Sequence, residues 1–506
     1  MGHEKTTTKN ISALVKRLCA HARETEWFEF KSSDADPKKL GQNISAIANA
    51  AAISGKSNGY IIWGIQDEDH RIIGTTFKPD SKRVQRDDLD HWLSQRLDPS
   101  INFRFHTDNV DGKPVVVLSI PRALDRPVRF DNEAYIRVGS HTRKLNRFPQ
   151  KESLIWRLST SRTFETGVAI EYVQNSGVLD LLDYESYFNL VKSPIPTHAP
   201  NLLQALQHEN FVRQRDDGSW DILNLGLLAF ARNLWTIDSL RRKSTRIVKY
   251  SGTARYHGSR QEELPIGYAA GFASIIDYVS KLAPTDETFN GGIRKQEPRF
   301  PTLAVREVIA NALIHQDLTE RGTGPLVEIF EDRIEVLNPG APLVDSRHFV
   351  NAPPKSRNEV LAALLRRFGI CEELGSGWDK IVYEIEIRHL PAPRIDVINN
   401  STRVTIYGAK PLSKMNSADR VRAIYLHACL RYADEGASIT NTTVRKRFGM
   451  DQRNSAKASR FLNEALAAGD IVPVNPNAGR KFMEYLPYWA GGAADSHEHD
   501  VAIRAS

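Results

Sequence analysis

Residues 306–315 read REVIANALIH, and this stretch decides how the second half of the chain is understood. Four residues advance an α-helix by about 400°, so Glu307, Asn311 and His315 form one polar row on a helix. The apolar residues between them fall on the other side, where a core can take them. Such a row often faces solvent, but it also has the composition of a metal and nucleotide site. In that second interpretation the Asn311 carboxamide oxygen ligates Mg²⁺, and Glu307 orients or deprotonates a water molecule.

The size and composition of the chain are those of a soluble multidomain protein. Its 506 residues exceed the size at which one core stops growing, so two to four domains are expected. Hydrophobic content of 41% and charged content of 25% are ordinary, and no apolar run reaches the roughly 18 residues of a bilayer span. The three cysteines, Cys19, Cys371 and Cys429, are too widely separated for a disulfide framework or a CxxC metal site. We therefore expect a cytoplasmic protein with no membrane partner.

The net charge hints at a polyanionic partner. A formal charge of +7 is modest for this length, so its distribution matters more than its size. Residues 414–484 contain 12 Lys and Arg against 7 Asp and Glu, and 12 − 7 gives an excess of five positive charges. This region is basic by itself.

The first 150 residues alternate helices with short strands, which predicts an α/β domain over residues 1–150. Residues 151–295 predict a middle connector with a winged-helix-like element. Residues 296–410 predict a second α/β domain. The patterns behind these assignments are a helix at 39–53 and strands at 60–65, 115–120 and 134–138; a helix at 202–207 with a hairpin at 211–223; and a hairpin at 326–337 followed by helices at 358–368 and from 378.

The C-terminal pattern is that of a winged helix-turn-helix over residues 411–490, with a disordered tail at 491–506. Three helical patterns lie at 421–432, 441–447 and 454–468, and a two-strand pattern follows at 471–485. The second helix of such a pair enters the DNA major groove, and Lys and Arg side chains contact phosphates. The alternative is a winged helix used for packing or dimerisation, with a solvated basic face. The residues predicted to contact nucleic acid are Arg453, Lys457 and Arg460 on the recognition helix and Arg480 and Lys481 on the wing.

A set of carboxylates lies near the N-terminus. Residues 27–31 alternate as a strand would, which places Glu29 and Lys31 on one face. If this strand lies beside the strand that precedes Asp67, then Glu24, Glu29 and Asp67 could converge. Three carboxylates repel one another unless a hard cation such as Mg²⁺ or Mn²⁺ lies between them, and such a site can cleave a phosphodiester. The alternative is a set of exposed acids near a strand.

Two motifs in this region carry a family resemblance. Glu24 begins an ExxxxEFK sequence, which is followed by a Gly-Ile-x-Asp turn ending at Asp67 and by YIRVGS at residues 135–140 with Thr142. These motifs resemble the AlbA-type domain of Schlafen proteins. The resemblance implies that Glu24, Glu29 and Asp67 bind metal and cleave RNA, tRNA-like substrates in particular. Many bacterial members of the domain family are instead regarded as DNA-binding modules. The predicted nucleic-acid contacts in this region are Arg137, Arg143 and Lys144. Lys31, beside the acids on the same strand face, is available to offset phosphate charge.

ExxxNAxxH at Glu307 to His315 resembles the N-box of GHKL ATPases, which have the Bergerat α/β sandwich fold. The DxGxG motif that recognises adenine in those ATPases is absent, and Asn338-Pro339-Gly340 takes its place. Arg357-Asn358 and the EExGSGxxK sequence from Glu372 resemble further elements of a divergent subfamily. The resemblance implies ATP as cofactor. The implied cofactor-binding residues are Glu307, Asn311, His315, Asn338, Gly340, Gly375, Ser376 and Gly377, with Asn311 as a metal ligand.

The fold class that follows is multidomain α/β (α+β), and two functions remain open. The first is a Schlafen-like, metal-dependent endonuclease that ATP binding gates, in antiviral defence or stress response. The alternative is a non-catalytic, ATP-responsive transcriptional regulator that binds DNA. Because GHKL proteins often dimerise, the resemblance also implies a homo-oligomer, a dimer or larger.

Overall fold

The structure is a computed structural model. It describes residues 3–21, 24–32, 36–67, 69–124, 126–160, 163–256, 258–290, 293–350, 355–371, 377–479 and 482–490. The chain divides into two compact units. The first comprises Met1–Val178 with His198–Leu223, and the second comprises Leu179–Thr197 with Asn224–Ser506. The finer division into five segments stays a prediction.

The helices and strands alternate along most of the chain. The helices are α1 (His3–Cys19), α2 (Pro37–Ile53), α3 (Leu89–Ser94), α4 (Pro149–Thr160), α5 (Asn175–Leu181), α6 (Tyr184–Leu190), α7 (Ala199–His208), α8 (Asn224–Phe230), α9 (Tyr268–Leu282), α10 (Thr302–His315), α11 (Glu359–Arg367), α12 (Gly377–Ile387), α13 (Ser417–Glu435), α14 (Asn441–Arg447) and α15 (Ser455–Ala467). The strands are β1 (Phe28–Lys31), β2 (Asn58–Trp63), β3 (Arg83–Val84), β4 (Asp87–Asp88), β5 (Leu97–Asp98), β6 (Arg104–Val110), β7 (Lys113–Pro121), β8 (Arg129–Phe130), β9 (Glu133–Val138), β10 (His141–Lys144), β11 (Val168–Val173), β12 (Val212–Gln214), β13 (Trp220–Leu223), β14 (Thr245–Tyr250), β15 (Ser259–Leu264), β16 (Thr285–Asn290), β17 (Ile293–Pro298), β18 (Leu326–Ile329), β19 (Arg333–Pro339), β20 (Arg394–Ile398), β21 (Ser401–Tyr407), β22 (Ile471–Pro473) and β23 (Tyr485–Pro487).

The first unit is built on a sheet with the strand order β1-β2-β7-β6. β1 and β2 are parallel, with Glu29 opposite Ile61, and α2 makes the crossover that a parallel pair requires. The predicted alternation in β1 is confirmed, because Phe28 and Phe30 are buried in the core beneath α1. Glu29 therefore points to the opposite face of the sheet, toward α2.

A second sheet in this unit, with the order β10-β9-β8-β5, packs on the other side of α2. Asn49 of α2 joins the helix to this sheet. Its amide nitrogen donates to the carbonyls of Val128 and Tyr135 at 2.9 and 2.8 Å, and its oxygen accepts from the Val128 N–H at 2.8 Å. The helix α2 thus lies between β1 and β9, and it fixes the position of both.

The second unit contains a sheet with the order β15-β14-β18-β19-β21-β20. The helix α10 packs against β19 of this sheet and against α12. The apolar face of α10 is buried as its sequence predicts, since Val308, Ile309 and Leu313 are at most 2% exposed. A sheet covered by helices on one face agrees with the α/β sandwich that the sequence predicts.

The end of the second unit comprises α13, α14, α15 and the antiparallel pair of β22 and β23. A capping box at Thr440 and Thr443 begins α14, and Gly436 in the left-handed conformation ends α13. The chain is a mixed α/β protein, which confirms the predicted fold class. In the part of the chain that the structure describes, no helix is both long and apolar enough to cross a membrane.

Candidate functional sites

In the first unit the predicted acidic residues surround a buried arginine. Arg137, on β9, is 0% exposed. Its guanidinium donates a hydrogen bond to Glu24 Oε2 at 3.2 Å and forms an ion pair with Glu29 Oε2 at 2.9 Å. A guanidinium is planar and permanently charged, so it can hold two carboxylates at once. Arg137 therefore supplies the positive charge between Glu24 and Glu29.

The remaining carboxylate oxygens of Glu24 and Glu29 also have partners. Glu24 Oε1 accepts a hydrogen bond from the Phe30 N–H at 2.5 Å. Glu29 Oε1 lies 2.5 Å from Lys31 Nζ, and Glu29 Oε2 also accepts from the Asn43 amide at 2.9 Å. Each oxygen of the two carboxylates is thus engaged by a donor or a cation.

The third predicted acid, Asp67, is exposed but close enough to act on Glu24 electrostatically. Burial raises the pKa of Glu24, and the charges of Glu29 and Asp67 raise it further, while the Phe30 N–H and Arg137 lower it. Among the described residues, no cluster of three or more His, Cys, Asp or Glu side chains has the arrangement of a metal site. In this arrangement the oxygens of Glu24 and Glu29 face donors and cations of the protein itself. The metal site predicted at Glu24, Glu29 and Asp67 stays a prediction.

One predicted nucleic-acid contact needs correction. Arg137 was assigned to nucleic acid because it lies in the YIRVGS motif, but its side chain is fully buried and cannot reach a ligand outside the domain. Its partners are internal, and they include the Ser140 carbonyl at 3.2 Å. Arg143 and Lys144, on the edge strand β10, are exposed, and Lys144 pairs with Glu133 at 2.7 Å.

In the second unit the polar row of α10 faces a cavity of about 560 Å³. Its walls come from α10, from β19 and β21, from residues 341–349, from residues 355–357 and from the N-terminal end of α12. Val336, Leu343, Val344, Phe349 and Trp378 provide apolar surface. The predicted residues that line it are Glu307, Asn311, His315, Asn338 and Gly377.

Glu307 and Gly377 mark the closest approach of two walls of the cavity. Glu307 is only 4% exposed, and a Cβ added at Gly377 would lie 2.2 Å from Glu307 Oε1. Gly377 is the first residue of α12, so the absence of a side chain lets this helix begin against the carboxylate. Gly375 and Ser376, which were predicted as cofactor-binding residues, lie outside the described residues.

The Asn338-Pro339-Gly340 segment ends β19 at the edge of the cavity. Asn338 is 5% exposed and lines the cavity, opposite Thr402 on β21. Gly340 has φ of +98°, and a Cβ there would lie 2.7 Å from Arg357 Nη1. Gly340 is therefore a glycine for steric reasons, and it lets the chain turn tightly beneath Arg357.

Arg357 and Asn358 brace the wall of the cavity, a role that the sequence did not reveal. Arg357 donates to the carbonyls of His315 and Ala341, both at 3.2 Å. Asn358, which is 3% exposed, donates to the carbonyls of Ile314 and Gln316 at 3.0 and 2.8 Å. The bonds to Ile314, His315 and Gln316 satisfy carbonyl groups at the C-terminal end of α10, where a helix leaves its last carbonyls without helical partners.

Charged side chains of both signs line the cavity among the described residues. The lining contains the cations Lys355, Arg357 and Arg366 and the carboxylates Glu307 and Glu359. Burial, together with the charge of Arg357, lowers the pKa of His315 to about 4. His315 therefore lines the cavity as a neutral imidazole at neutral pH.

The predicted basic residues near the C-terminus are largely exposed. The side chain of Arg453 is 92% exposed and that of Arg460 is 65% exposed. Lys457 is partly buried, with its amine 5.9 Å from the centre of the Phe461 ring. The predicted wing residues Arg480 and Lys481 lie outside the described residues.

Comparisons with known proteins agree with both resemblances. Residues 24–146 match the family described as "Schlafen, AlbA_2", and residues 322–406 match the family described as "Putative ATP-dependent DNA helicase recG C-terminal". An uncharacterized ATP-binding protein of Ureaplasma parvum is 33% identical over 102 residues. That match covers 20% of this chain and 27% of the relative, so the chain spans about a quarter of the relative's length. These matches confirm the prediction of an N-terminal Schlafen AlbA-type domain and a later ATPase-like domain.

Two solved structures are also similar. The DIP2311 protein from Corynebacterium diphtheriae aligns over 98% of this chain and 99% of its own, with 17% identity and a TM-score of 0.41. The N-terminal domain of a protein described as a "Putative ATP-dependent DNA Helicase RecG-related Protein", from Nitrosomonas europaea, aligns over 26% of this chain and 89% of its own, with 23% identity and a TM-score of 0.19.

Replacing Arg137 tests its role between the acids. In Arg137→Met the carboxylates of Glu24 and Glu29 lose their shared cation while they remain buried, so we expect the free energy of unfolding to fall by about 3–5 kcal/mol. Urea denaturation followed by tryptophan fluorescence measures the change. The control is Arg143→Met, an exposed position, for which we expect a change within about 0.5 kcal/mol. Equal stability of the two variants would contradict the role of Arg137.

The lowered pKa of His315 predicts a pH dependence of stability. Below pH 6.5 the unfolded chain binds a proton at this histidine, whereas the folded chain binds it only near pH 4. His315 thus makes the free energy of unfolding fall as the pH falls from 6.5 to 4, by at most about 1.4 kcal/mol per pH unit. In His315→Gln this contribution disappears. Denaturant unfolding across that pH range gives the slopes, with His208→Gln, an exposed position, as control. If the free energy of unfolding of His315→Gln changes with pH as steeply as that of the wild type, the lowered pKa of His315 is contradicted.

Proposed function

With a Schlafen AlbA_2 match at residues 24–146 and a RecG-C-terminal-type match at residues 322–406, we propose that this chain is a regulator that binds ATP in the cavity of its second unit and binds nucleic acid without cleaving it. The cavity built on the ExxxN row carries the proposal. Its volume, about 560 Å³, lies within the range of roughly 300–1,000 Å³ that is usual for small-molecule sites.

The composition of the cavity suits a nucleoside triphosphate. Its apolar surface can receive a base, and the cations among its described lining residues can receive the phosphates. Lys355 and Arg366 are candidates for contacts with phosphate, since Arg357 is already bound to backbone carbonyls. Asn338, which replaces the aspartate of DxGxG, is a candidate contact for the base.

The cavity residues also fit a magnesium ion bound together with the phosphates. Magnesium prefers oxygen ligands and takes few of them from the protein when phosphates are present. Asn311 would hold the ion, which neutralises phosphate charge when bound. Glu307, one turn earlier on the same row, is placed to orient a water molecule.

Two exposed basic surfaces support nucleic-acid binding. Arg453 lies just before α15, and Arg460 lies on the exposed side of α15. In the proposed function the three helices and two strands of this region serve as a winged helix. Arg143 lies on the edge strand β10 of the domain that matches the Schlafen family. Contacts of this type act on phosphates and give affinity that depends on salt.

The acidic cluster is the reason for proposing binding rather than cleavage. A hydrolytic metal site needs carboxylate oxygens that are free to ligate. The oxygens of Glu24 and Glu29 are held by Arg137, Lys31, Asn43 and the backbone. In the proposed function these acids stabilise the domain. A metal-dependent endonuclease is the alternative, and the cleavage assay described below tests it.

Nucleotide binding is tested at Asn311. In Asn311→Ala we expect the dissociation constant for ATP to rise at least about 10-fold in the presence of Mg²⁺, because the bound ion loses a protein ligand. In EDTA we expect the wild-type protein and the variant to bind ATP with similar, weaker affinity. Calorimetry measures both affinities, and Asn201→Ala, at an exposed position on α7, is the control. Equal ATP affinity of Asn311→Ala and wild type in Mg²⁺ would contradict the site.

Nucleic-acid binding and cleavage are tested together with labelled tRNA, single-stranded DNA and duplex DNA in Mg²⁺ or Mn²⁺, with and without ATP. We expect bound but intact substrates. In the double variant Arg453→Met/Arg460→Met we expect weaker binding to duplex DNA. The slope of the logarithm of the binding constant against the logarithm of the salt concentration should become shallower by about 1 to 2. Glu29→Gln serves as the matched variant for cleavage. Product that forms with the wild type and not with Glu29→Gln would overturn the non-catalytic proposal and favour the nuclease.

A further inference from the structure

The helix α12 joins the nucleotide cavity to the C-terminal helices. At its N-terminal end Gly377 and Trp378 line the cavity. Near its C-terminal end Glu386 binds two partners from the C-terminal helices: His427 Nδ1 of α13 at 2.9 Å and Arg447 Nε of α14 at 3.3 Å. A little over two helical turns, about 2.2, separate Trp378 from Glu386, so α12 spans the distance between the cavity and the C-terminal helices.

The partners of Glu386 are buried, which makes this connection stiff. Arg447 is 4% exposed and His427 is 8% exposed. Arg447 also donates to the Leu390 carbonyl at 2.9 Å, just beyond the end of α12. A buried guanidinium strongly favours its carboxylate partner, so a movement of α12 is transmitted to α14.

A second connection runs from the loop at residues 341–349. Its Leu343, Val344 and Phe349 line the cavity. Arg347 of the same loop forms an ion pair with Asp470 at 2.7 Å, and its guanidinium lies 4.3 Å from the centre of the Tyr488 ring.

The backbone and the next side chain of this loop are also held from the C-terminal side. The Tyr425 hydroxyl donates to the Arg347 carbonyl at 2.5 Å. His348 Nε2 lies 2.7 Å from the Tyr488 hydroxyl. Two walls of the cavity therefore contact the C-terminal region through different residues. The wall from α12 contacts α13 and α14, and the wall from the loop contacts α13, Asp470 and Tyr488.

We propose that ATP in the cavity and nucleic acid on the C-terminal helices are energetically coupled, and that the Glu386 contacts and the Arg347 contacts transmit the coupling. The inference rests on the proposed function, because it requires both ligands. A ligand in the cavity contacts the start of α12 and the inner face of the loop. The helix α12 holds α13 and α14 through Glu386, and the loop holds α13, Asp470 and Tyr488. Binding that shifts either wall must then change the affinity for nucleic acid, and linkage makes the effect reciprocal.

The test uses the full-length chain, a labelled mixed-sequence DNA duplex and Mg²⁺-ATP. The duplex affinity is measured with and without saturating ATP, and the ATP affinity with and without saturating duplex. We expect both affinities to change by one common factor of about 5 to 150. If both ligands bind but neither changes the affinity for the other, the coupling is overturned and the proposed function stands. Failure to bind either ligand would overturn the proposed function and the coupling with it.

Two variants test the route. In Glu386→Gln and in Arg347→Met we expect the common factor to fall toward one, while each affinity measured alone stays near the wild-type value. The matched control is Arg431→Met, which removes a surface ion pair of similar length, 2.8 Å to Glu435, within α13. This control should keep the wild-type factor. The Arg347 side chain is half exposed, so we expect Arg347→Met to fold even if Glu386→Gln does not. Circular dichroism checks the folding of both variants. If the folded variants Arg347→Met and Glu386→Gln keep the coupling factor of the wild type, the Glu386 and Arg347 contacts do not transmit the coupling.

Discussion

A buried charge must have a partner, and this constraint organises both units of the chain. The cost of leaving an ion unpaired inside a protein is several kcal/mol, which is comparable to the whole stability of a domain. In the first unit Arg137 meets this requirement with two glutamates from elsewhere in the chain. In the second unit Arg447 meets it with Glu386.

The parts of the fold that sequence predicts well are those set by local periodicity. The polar row from Glu307 to His315 lies on one face of α10, and its three residues line one cavity, because helical geometry fixes their spacing. The alternation around Glu29 is equally local, and β1 follows it. The prediction for α14 coincides with its observed bounds, Asn441–Arg447. Such patterns need no knowledge of what the element packs against.

The partners of charged residues could not be predicted, since they depend on contacts between distant positions. Arg137 and Glu24 are 113 positions apart, and a basic residue in a strand with the motif of a nucleic-acid-binding family is naturally assigned to the surface. The motif of Arg357 and Asn358 likewise indicated a family resemblance, but it could not predict their bonds to the end of α10. The sequence predicted a cation between the acids, and the structure places the guanidinium of Arg137 between Glu24 and Glu29. The predicted metal ion stays a prediction.

The neutral state of His315 has a consequence for how the cavity responds to its surroundings. With this imidazole uncharged above about pH 4, His315 adds no positive charge to the cavity wall through mild acidification. A histidine with an ordinary ionisation would instead add a charge there as the medium turns acidic. Any response of cavity occupancy to mild acid therefore has to come from groups other than this imidazole.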